Sequence, residues 1–404
     1  MSGARIVVVG IGADGWAGLG EAARAAILAA DEVVGSRRQL DLLPPDAPPT
    51  RAWPTPIDPL VDELAALPAG SVCVLASGDP MLHGIGATLA RRIGPDRLAV
   101  IPHPSAFALA CARLGWPAAD VELVSAVART PDVVARVLQP GRRTVVYATG
   151  ATGAAEVAAV LCSRGFGPSR FVVLEQLGAT AERIVESTAD AWGDRPADAL
   201  HAIAIDCAPA VGVPLHARVP GLSDEAYDTD GQLTKRHVRA ITVAALAPTP
   251  GAVLWDVGAG SGSIAIEWLR AEPTARAIAI EARGDRADRI EANARTLGVP
   301  ALELVRGSAP GALDGLAQPD AVFVGGGLAA EGVLDCCWRE LASGGRLVAN
   351  AVTLESEQIL VAAHDRRGGE LIRIAISHAE PIGEFTGWRA ALPVVQWSVR
   401  KTSS

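Results

Sequence analysis

An α/β fold, present as two unlike halves, is predicted by three observations. The chain has 404 residues, more than one ordinary core accommodates. Continuous apolar runs closed by glycine or a polar residue alternate with alanine-rich stretches of helical length. The alternation stops at "APAVGVPLHARVPGL", a proline- and glycine-rich stretch without period, and then resumes. The expected division is residues 1–207, a linker over 208–222, and residues 223–404.

In the first half the predicted strands are "RIVVVGIG" (5–12), "SVCVLASG" (71–78), "RTVVYATG" (143–150), "RFVVLEQLG" (170–178) and "AIAIDC" (202–207). Unbroken apolar runs suit strands buried on both faces of a mainly parallel sheet. Stretches such as 17–31 and 81–94 are long enough for crossover helices. In the second half the strands are "AVLWDVG" (252–258), "ARAIAIEA" (275–282), "LELVRG" (302–307), "DAVFVGG" (320–326) and "GRLVANAV" (345–352). Each half opens on its own strand and glycine loop, but no detailed repeat relates them.

Composition narrows the function. Half of the residues are apolar and 20% are charged, as in a globular protein. A net charge of -9 argues against a nucleic-acid partner, while local arginines can still hold a small anion. Lysine occurs only at Lys235 and Lys401, so nearly every cationic contact falls to arginine. No apolar run approaches membrane-spanning length, and "MSGARIVVVGIGADG" reads as a first buried strand rather than a signal peptide. A cytoplasmic protein without a membrane partner is expected. The six scattered cysteines (Cys73, Cys111, Cys162, Cys207, Cys336, Cys337) read as reduced packing residues, and no Cys/His spacing suggests a metal.

The stretch "LWDVGAGSGSIAIEW" (254–268) runs from strand to glycine loop to helix. Gly258, Gly260 and Gly262 clear the turn of Cβ atoms, Ser261 or Ser263 is positioned to cap the helix, and a ligand would meet backbone N–H groups there. Glu281 ends the next strand, where a carboxylate can accept both hydroxyls of a ribose. Position 263 is Ser where a dinucleotide site more often has a third glycine, and Asp256 precedes the loop. That carboxylate would repel a pyrophosphate but tolerate an ammonium group. S-adenosylmethionine has a ribose and an amino-acid tail and no phosphate, so it fits better than NAD. A tight structural turn is the plain alternative.

"GLSDEAYDTDGQLTKRHVRAITVAAL", the glycine loop, "GSAP", "DAVFVGG" and "GGRLVANAVTLE" together resemble the decarboxylating precorrin methyltransferases of cobalamin biosynthesis over roughly 220–356. The resemblance implies a Rossmann-like class I methyltransferase fold. It carries donor binding onto Thr234, Gly258, Ala259, Gly260, Ser261, Gly262, Glu281 and Ala309. Lys235, in an arginine-biased chain, is a candidate substrate contact, because a compact ammonium can approach an acetate. Arg236 and Arg239 are either further carboxylate anchors or surface residues. Glu267, Asn350 and Glu355 are either acid/base and orienting groups or ordinary polar positions.

In the first half, "VVGIGADG" (8–15) contains a G-x-G-x-x-G, but no acidic residue ends a strand some 20 residues on. "ASGDPMLHGIG" (76–86), "IPHPSAFALACARLGWP" (101–117) and "VVLEQLGATAERI" (172–184) are together similar to the tetrapyrrole methylases over about 5–207. The resemblance implies a fold of two α/β subdomains with the methyl donor between them, and donor contacts at Ile11, Asp79, Leu82, Ser105 and Ala106. Ala13-Asp14-Gly15 and His103 depart from the usual pattern and leave the substrate-side contacts open.

The two resemblances imply two methyl transfers to bridging carbons of a precorrin, C5 by the first half and C15 by the second, with loss of carbon dioxide from the ring C acetate. They imply one S-adenosylmethionine site per half and no metal. The exposed edges of two sheets predict a homo-oligomer. An NAD-dependent dehydrogenase with a fused binding domain and a non-enzymatic tetrapyrrole carrier are the competing readings.

Overall fold

In the computed structural model, which describes residues 5–68 and 70–402, the first apolar run forms β1 (Arg5–Ile11). β2 (Glu32–Gly35), β3 (Thr50–Ala52), β4 (Ser71–Ser77) and β5 (Leu98–Ile101) join it in a sheet of order β3-β2-β4-β1-β5. All its pairings are parallel. Val8, Val74 and Val34 pack with Leu60 and Leu64 on one face, and Val9, Ile11 and Cys73 pack with Ile27 on the other. Burial on both faces is why these strands lack polar alternation.

A second sheet follows, of β6 (Val121–Ser125), β7 (Arg143–Tyr147), β8 (Arg170–Glu175), β9 (Arg183–Thr188) and β10 (His201–Asp206). Its order is β6-β7-β10-β8-β9, and β10 runs antiparallel to both neighbours. A mainly parallel sheet is therefore the wrong expectation for this segment. A doubly buried strand looks the same in sequence whichever way its neighbours run.

The sheet of the remaining chain contains β11 (Val253–Val257), β12 (Arg276–Glu281), β13 (Glu303–Arg306), β14 (Ala321–Val324), β15 (Arg346–Ala351), β16 (Glu370–Ile374) and β19 (Val394–Arg400). Its order is β13-β12-β11-β14-β15-β19-β16, parallel through β15, with β19 antiparallel to both β15 and β16. β17 (Ser377–Ile382) and β18 (Phe385–Ala390) make a separate hairpin.

Contacts divide the described residues into two units. One runs to Pro131 and takes in Pro140–Val213; the other holds Asp132–Gln139 and everything from Pro214. Leu222, at the end of the predicted linker, is 4% exposed and belongs to a core cluster with Trp268. The six cysteines are free, and all but Cys162 are buried. No described group of three or more His, Cys, Asp or Glu residues could hold a metal, and no described helix is long and apolar enough to cross a membrane.

The G-x-G-x-x-G of the first unit has a steric reason. A Cβ on Gly10 would lie 2.1 Å from the Gly78 oxygen and 2.6 Å from the His103 nitrogen. Backbone after β4 and β5 crosses the end of β1 there, with no space left for a side chain. Gly10→Ala should cost about 1–3 kcal/mol of stability through overpacking. Gly20→Ala, with nothing within 4 Å of its Cβ, should stay within about 0.5 kcal/mol of the parent. Urea titration of both variants checks the contrast.

Candidate methyl-donor sites

In the second unit β11 ends at the glycine loop and the helix Ser263–Ala271 begins. Gly258 has φ +69°, and a Cβ on it would meet the Gly326 backbone at 2.6 Å. The loop after β11 therefore lies flat against the end of β14. Neither serine caps the helix: its N-cap is Gly262, with no side-chain cap bond. Asp256 does that work from below, its Oδ2 accepting the Ala265 N–H at 3.0 Å. Asp256 is fully buried, so it does not face a ligand ammonium as the sequence suggested. Burial first, and then the nearby Glu281 carboxylate, push it up to about 7 against the pull of the Ala265 N–H.

The loop amides are also engaged. Gly258 and Ala259 donate to the Ile280 carbonyl at 2.9 and 3.1 Å, and Gly262 donates to Ala259 at 2.8 Å. Gly260 donates to Glu281 Oε2 at 2.8 Å, and Arg283 donates to Glu281 Oε1 at 3.0 Å. These four amides thus turn inward, and the loop offers a ligand mainly a surface free of side chains. Each Glu281 oxygen accepts one backbone N–H, and the carboxylate, 5% exposed, sits beneath the loop and is not among the residues lining the cavity described next.

Above the loop lies a cavity of about 750 Å³. Thr234, Lys235, Gly258, Ala259, Gly260 and Asn350 line it, together with Phe323, His237 and His378, which sequence reasoning missed. Lys235 precedes the helix Arg236–Leu246 with a 65% exposed side chain, its Nζ 3.9 Å from Asp224. The nearest negative partner is distant enough to leave the ammonium available. Asn350 donates to Thr242 Oγ1 at 3.0 Å and accepts from Gln396 at 2.9 Å, so its amide is held in one orientation.

Other expected residues lie elsewhere. Glu267, 1% exposed, accepts from the Gly221 and Leu222 amides, from Tyr227 Oη and from Arg239 Nε. Its carboxylate is consumed by structure and does not line the cavity. Arg239 is fully buried, donating also to Thr234 O at 2.6 Å and to Leu222 O, and cannot anchor a substrate. Arg236, by contrast, does line the cavity, with its Nε donating to Gly221 O at 2.9 Å. Glu355 is exposed on the first turn of the helix Leu354–Arg367, away from the cavity. Ala309 packs against the core cluster of Trp255 and Val324 instead of lining the cavity. Ser261 is buried beneath the loop. Tyr227 could have been noticed in sequence: it is one of only two tyrosines.

The first unit holds a cavity of about 470 Å³. Ile11, Leu82, Ser105 and Ala106 line it. Ser105 caps the helix Ala106–Leu114, accepting the Ala108 N–H at 3.1 Å. Asp79 does not line the cavity; its Oδ1 accepts the Met81 N–H at 2.8 Å and shapes the turn before Leu82. Tyr147, the other tyrosine, reaches in from the end of β7 and accepts the Phe107 N–H at 2.9 Å. Burial holds its hydroxyl above the usual phenol range despite that bond. Sequence reasoning missed Tyr147, Arg38 and His201, which reach the cavity from two strands and a short helix.

Asp256 makes stability depend on pH. Its folded pKa lies above the unfolded value, so the folded chain binds more protons in between, and stability falls as pH rises from about 4 to about 7. The slope contributed is at most about 1.4 kcal/mol per pH unit. Asp256→Asn keeps an acceptor for Ala265 and should flatten that part of a urea-midpoint-versus-pH curve between pH 5 and 7.

Residues 225–401 match the family described as "Precorrin methyltransferase domain", and residues 5–192 match "Tetrapyrrole (Corrin/Porphyrin) Methylases". A Sinorhizobium protein named precorrin-6Y C(5,15)-methyltransferase [decarboxylating] is 46% identical over 98% of this chain and 96% of its own length. The protein of that name from Mycobacterium tuberculosis (strain CDC 1551 / Oshkosh) is 47% identical over 98% of this chain and 100% of its own. The solved C-terminal domain of precorrin-6Y C5,15-methyltransferase from Rhodobacter capsulatus is 49% identical, covering 46% of this chain and all of that one, with TM-score 0.44. With similarity of that order along nearly its whole length, the chain belongs to the decarboxylating precorrin-6Y C(5,15)-methyltransferase family.

Proposed function

We propose that the chain methylates precorrin-6Y at C5 in its first unit and at C15 in its second, and removes the ring C acetate carboxyl as carbon dioxide, giving precorrin-8. Each unit would take its own S-adenosylmethionine. The observation that carries the reading is the second cavity: a loop that presents only Gly258, Ala259 and Gly260 to it, pressed onto the end of β14, with the strand-end Glu281 carboxylate bonded to the Gly260 amide beneath. Those groups fit a nucleoside without phosphate. Bound there, the donor supplies an electrophilic methyl group.

The chain has to hold the tetrapyrrole carbon in line with that methyl, and a bridging carbon of a reduced tetrapyrrole is already enamine-like and nucleophilic. Loss of carbon dioxide breaks the bond between the acetate methylene and its carboxyl. The electron pair passes into a protonated ring imine, and the methylene carbon then takes a proton. Lys235 suits the role of orienting the departing carboxylate, because its ammonium lines the cavity without a close partner. Asn350 suits an orienting role, since Thr242 and Gln396 hold its amide. In the first unit, Ile11, Leu82, Ser105 and Ala106 are the proposed donor contacts, and Asp79 is a positioning residue acting through its turn.

Glu281→Ala in the whole chain should weaken donor binding in the second unit at least tenfold, the worth of about one charge-assisted hydrogen bond. Product mass spectrometry with labelled donor should then show methylation at C5 retained, with C15 methylation and carbon dioxide release lost together. Two methyl groups added at an unchanged rate would contradict the ribose assignment.

Self-association belongs to the same reading. The β17–β18 hairpin leaves Phe385 and Trp388 79% and 78% exposed, apolar surface of the kind that marks an interface. Phe385→Ser with Trp388→Ser should shift the sedimentation coefficient toward the monomer. An unshifted oligomer would place the interface elsewhere.

A further inference from the structure

The cavity of the first unit has an electrostatic imbalance. Among the described residues its lining contains no aspartate or glutamate, and Arg38 is the one lysine or arginine in it. Arg38 follows β2 in the helix Arg37–Leu40, whose N-cap Ser36 and Gln39 form a reciprocal capping box. That box fixes the turn, and the guanidinium leaves it to donate to Ser77 Oγ at 2.9 Å. Gln39 Nε2 donates to the same oxygen at 3.0 Å. Ser77 lies immediately before the Gly78-Asp79-Pro80 turn, so the guanidinium is tied to the segment that shapes the donor site. A neutral hydroxyl is thus the hydrogen-bond partner of a half-buried permanent cation. Desolvation alone moves its pKa, downward, and no carboxylate raises it. Trp53 and Ile57, also in the lining, add apolar surface. Some half-buried arginines of this chain meet carboxylates, as Arg142 meets Glu122 at 2.7 Å and Arg286 meets Asp230 at 2.9 Å, and others such as Arg97 are capped by backbone carbonyls; Arg38 has a single neutral hydroxyl.

A planar guanidinium with unused N–H donors in a low-dielectric pocket matches a carboxylate. We propose that Arg38 is a carboxylate-binding residue of the first unit, completing its charge only when the ligand arrives. This rests on the methyltransferase reading. It goes beyond it by naming the group that recognises the acid side chains of the tetrapyrrole. The methyl donor also carries a carboxylate, but beside its own ammonium, which already neutralises it. Tetrapyrrole acetate and propionate groups lack that neighbour and gain more from an unpaired cation.

The test uses the whole chain. Arg38→Gln should raise the tetrapyrrole KM for C5 methylation roughly 10- to 100-fold. C15 methylation and carbon dioxide release should be unchanged, which makes the second unit an internal control for folding. Titration calorimetry with S-adenosylmethionine separates the two carboxylates. Unchanged donor affinity with a raised tetrapyrrole KM assigns Arg38 to the ring. Weakened donor affinity assigns it to the donor carboxylate. If both stay within about twofold of the parent, the proposal is overturned. Arg38→Lys keeps the charge without the planar fork and should fall between the parent and Gln. It carries the test if the Gln variant fails to fold. Should the parent itself add no methyl group at C5, the functional reading fails, and Arg38 with it. If the parent is active and all variants match it, only the Arg38 proposal fails.

Discussion

A buried ion pair, Arg239 with Glu267, holds the second unit's site together. The guanidinium donates to Glu267, to Asp224 and to the carbonyls of Leu222 and Thr234, and stacks over the Tyr227 ring with 4.7 Å to its centroid. Glu267 accepts in turn from Gly221, Leu222 and Tyr227. Charges removed from water must be fully partnered, so this cluster accepts a single arrangement of four segments. One is the segment bearing Thr234 and Lys235; another is the helix that starts at the glycine loop. The floor and wall of the cavity are thereby locked to each other. Residues that looked catalytic in sequence create the site without touching a ligand.

Asp256 extends the same theme. A serine cap would have left the helix start independent of the sheet. Capping from a buried strand position ties the loop between them to β11, and Glu281 fastens the loop's far side to β12. The cost is a carboxylate held near neutrality in a dry environment and close to a second one. The loop is preformed, as close positioning of a methyl donor requires.

The two cavities differ in their charges. The second mixes acids and bases at its mouth, among them Asp224, Lys235 and Arg286. The first is mainly apolar and, among the described residues, free of carboxylates with one guanidinium. They share close backbone approach: Gly258 against Gly326, and Gly10 against Gly78. Both folds make room for a ligand by bringing main chains together where side chains are absent.

Much of this was legible in sequence, because it depends on local pattern. Buried runs such as 253–257 and 276–281 cannot be anything but core, and the loop from 258 to 262 needs glycine's left-handed backbone whatever surrounds it. That Glu281 would end the second strand of this sheet was legible in the same way. The direction of β10, the inward turn of Asp256 and Glu267, the burial of Arg239 and the arrival of Arg38 and Tyr147 in one cavity were decided by tertiary structure alone. A charged residue reads the same in sequence whether its partner is a substrate or a carboxylate 28 positions away, like the one that Arg239 meets in Glu267. Only packing determines which partner excludes water, and the energy of a charge depends on that exclusion.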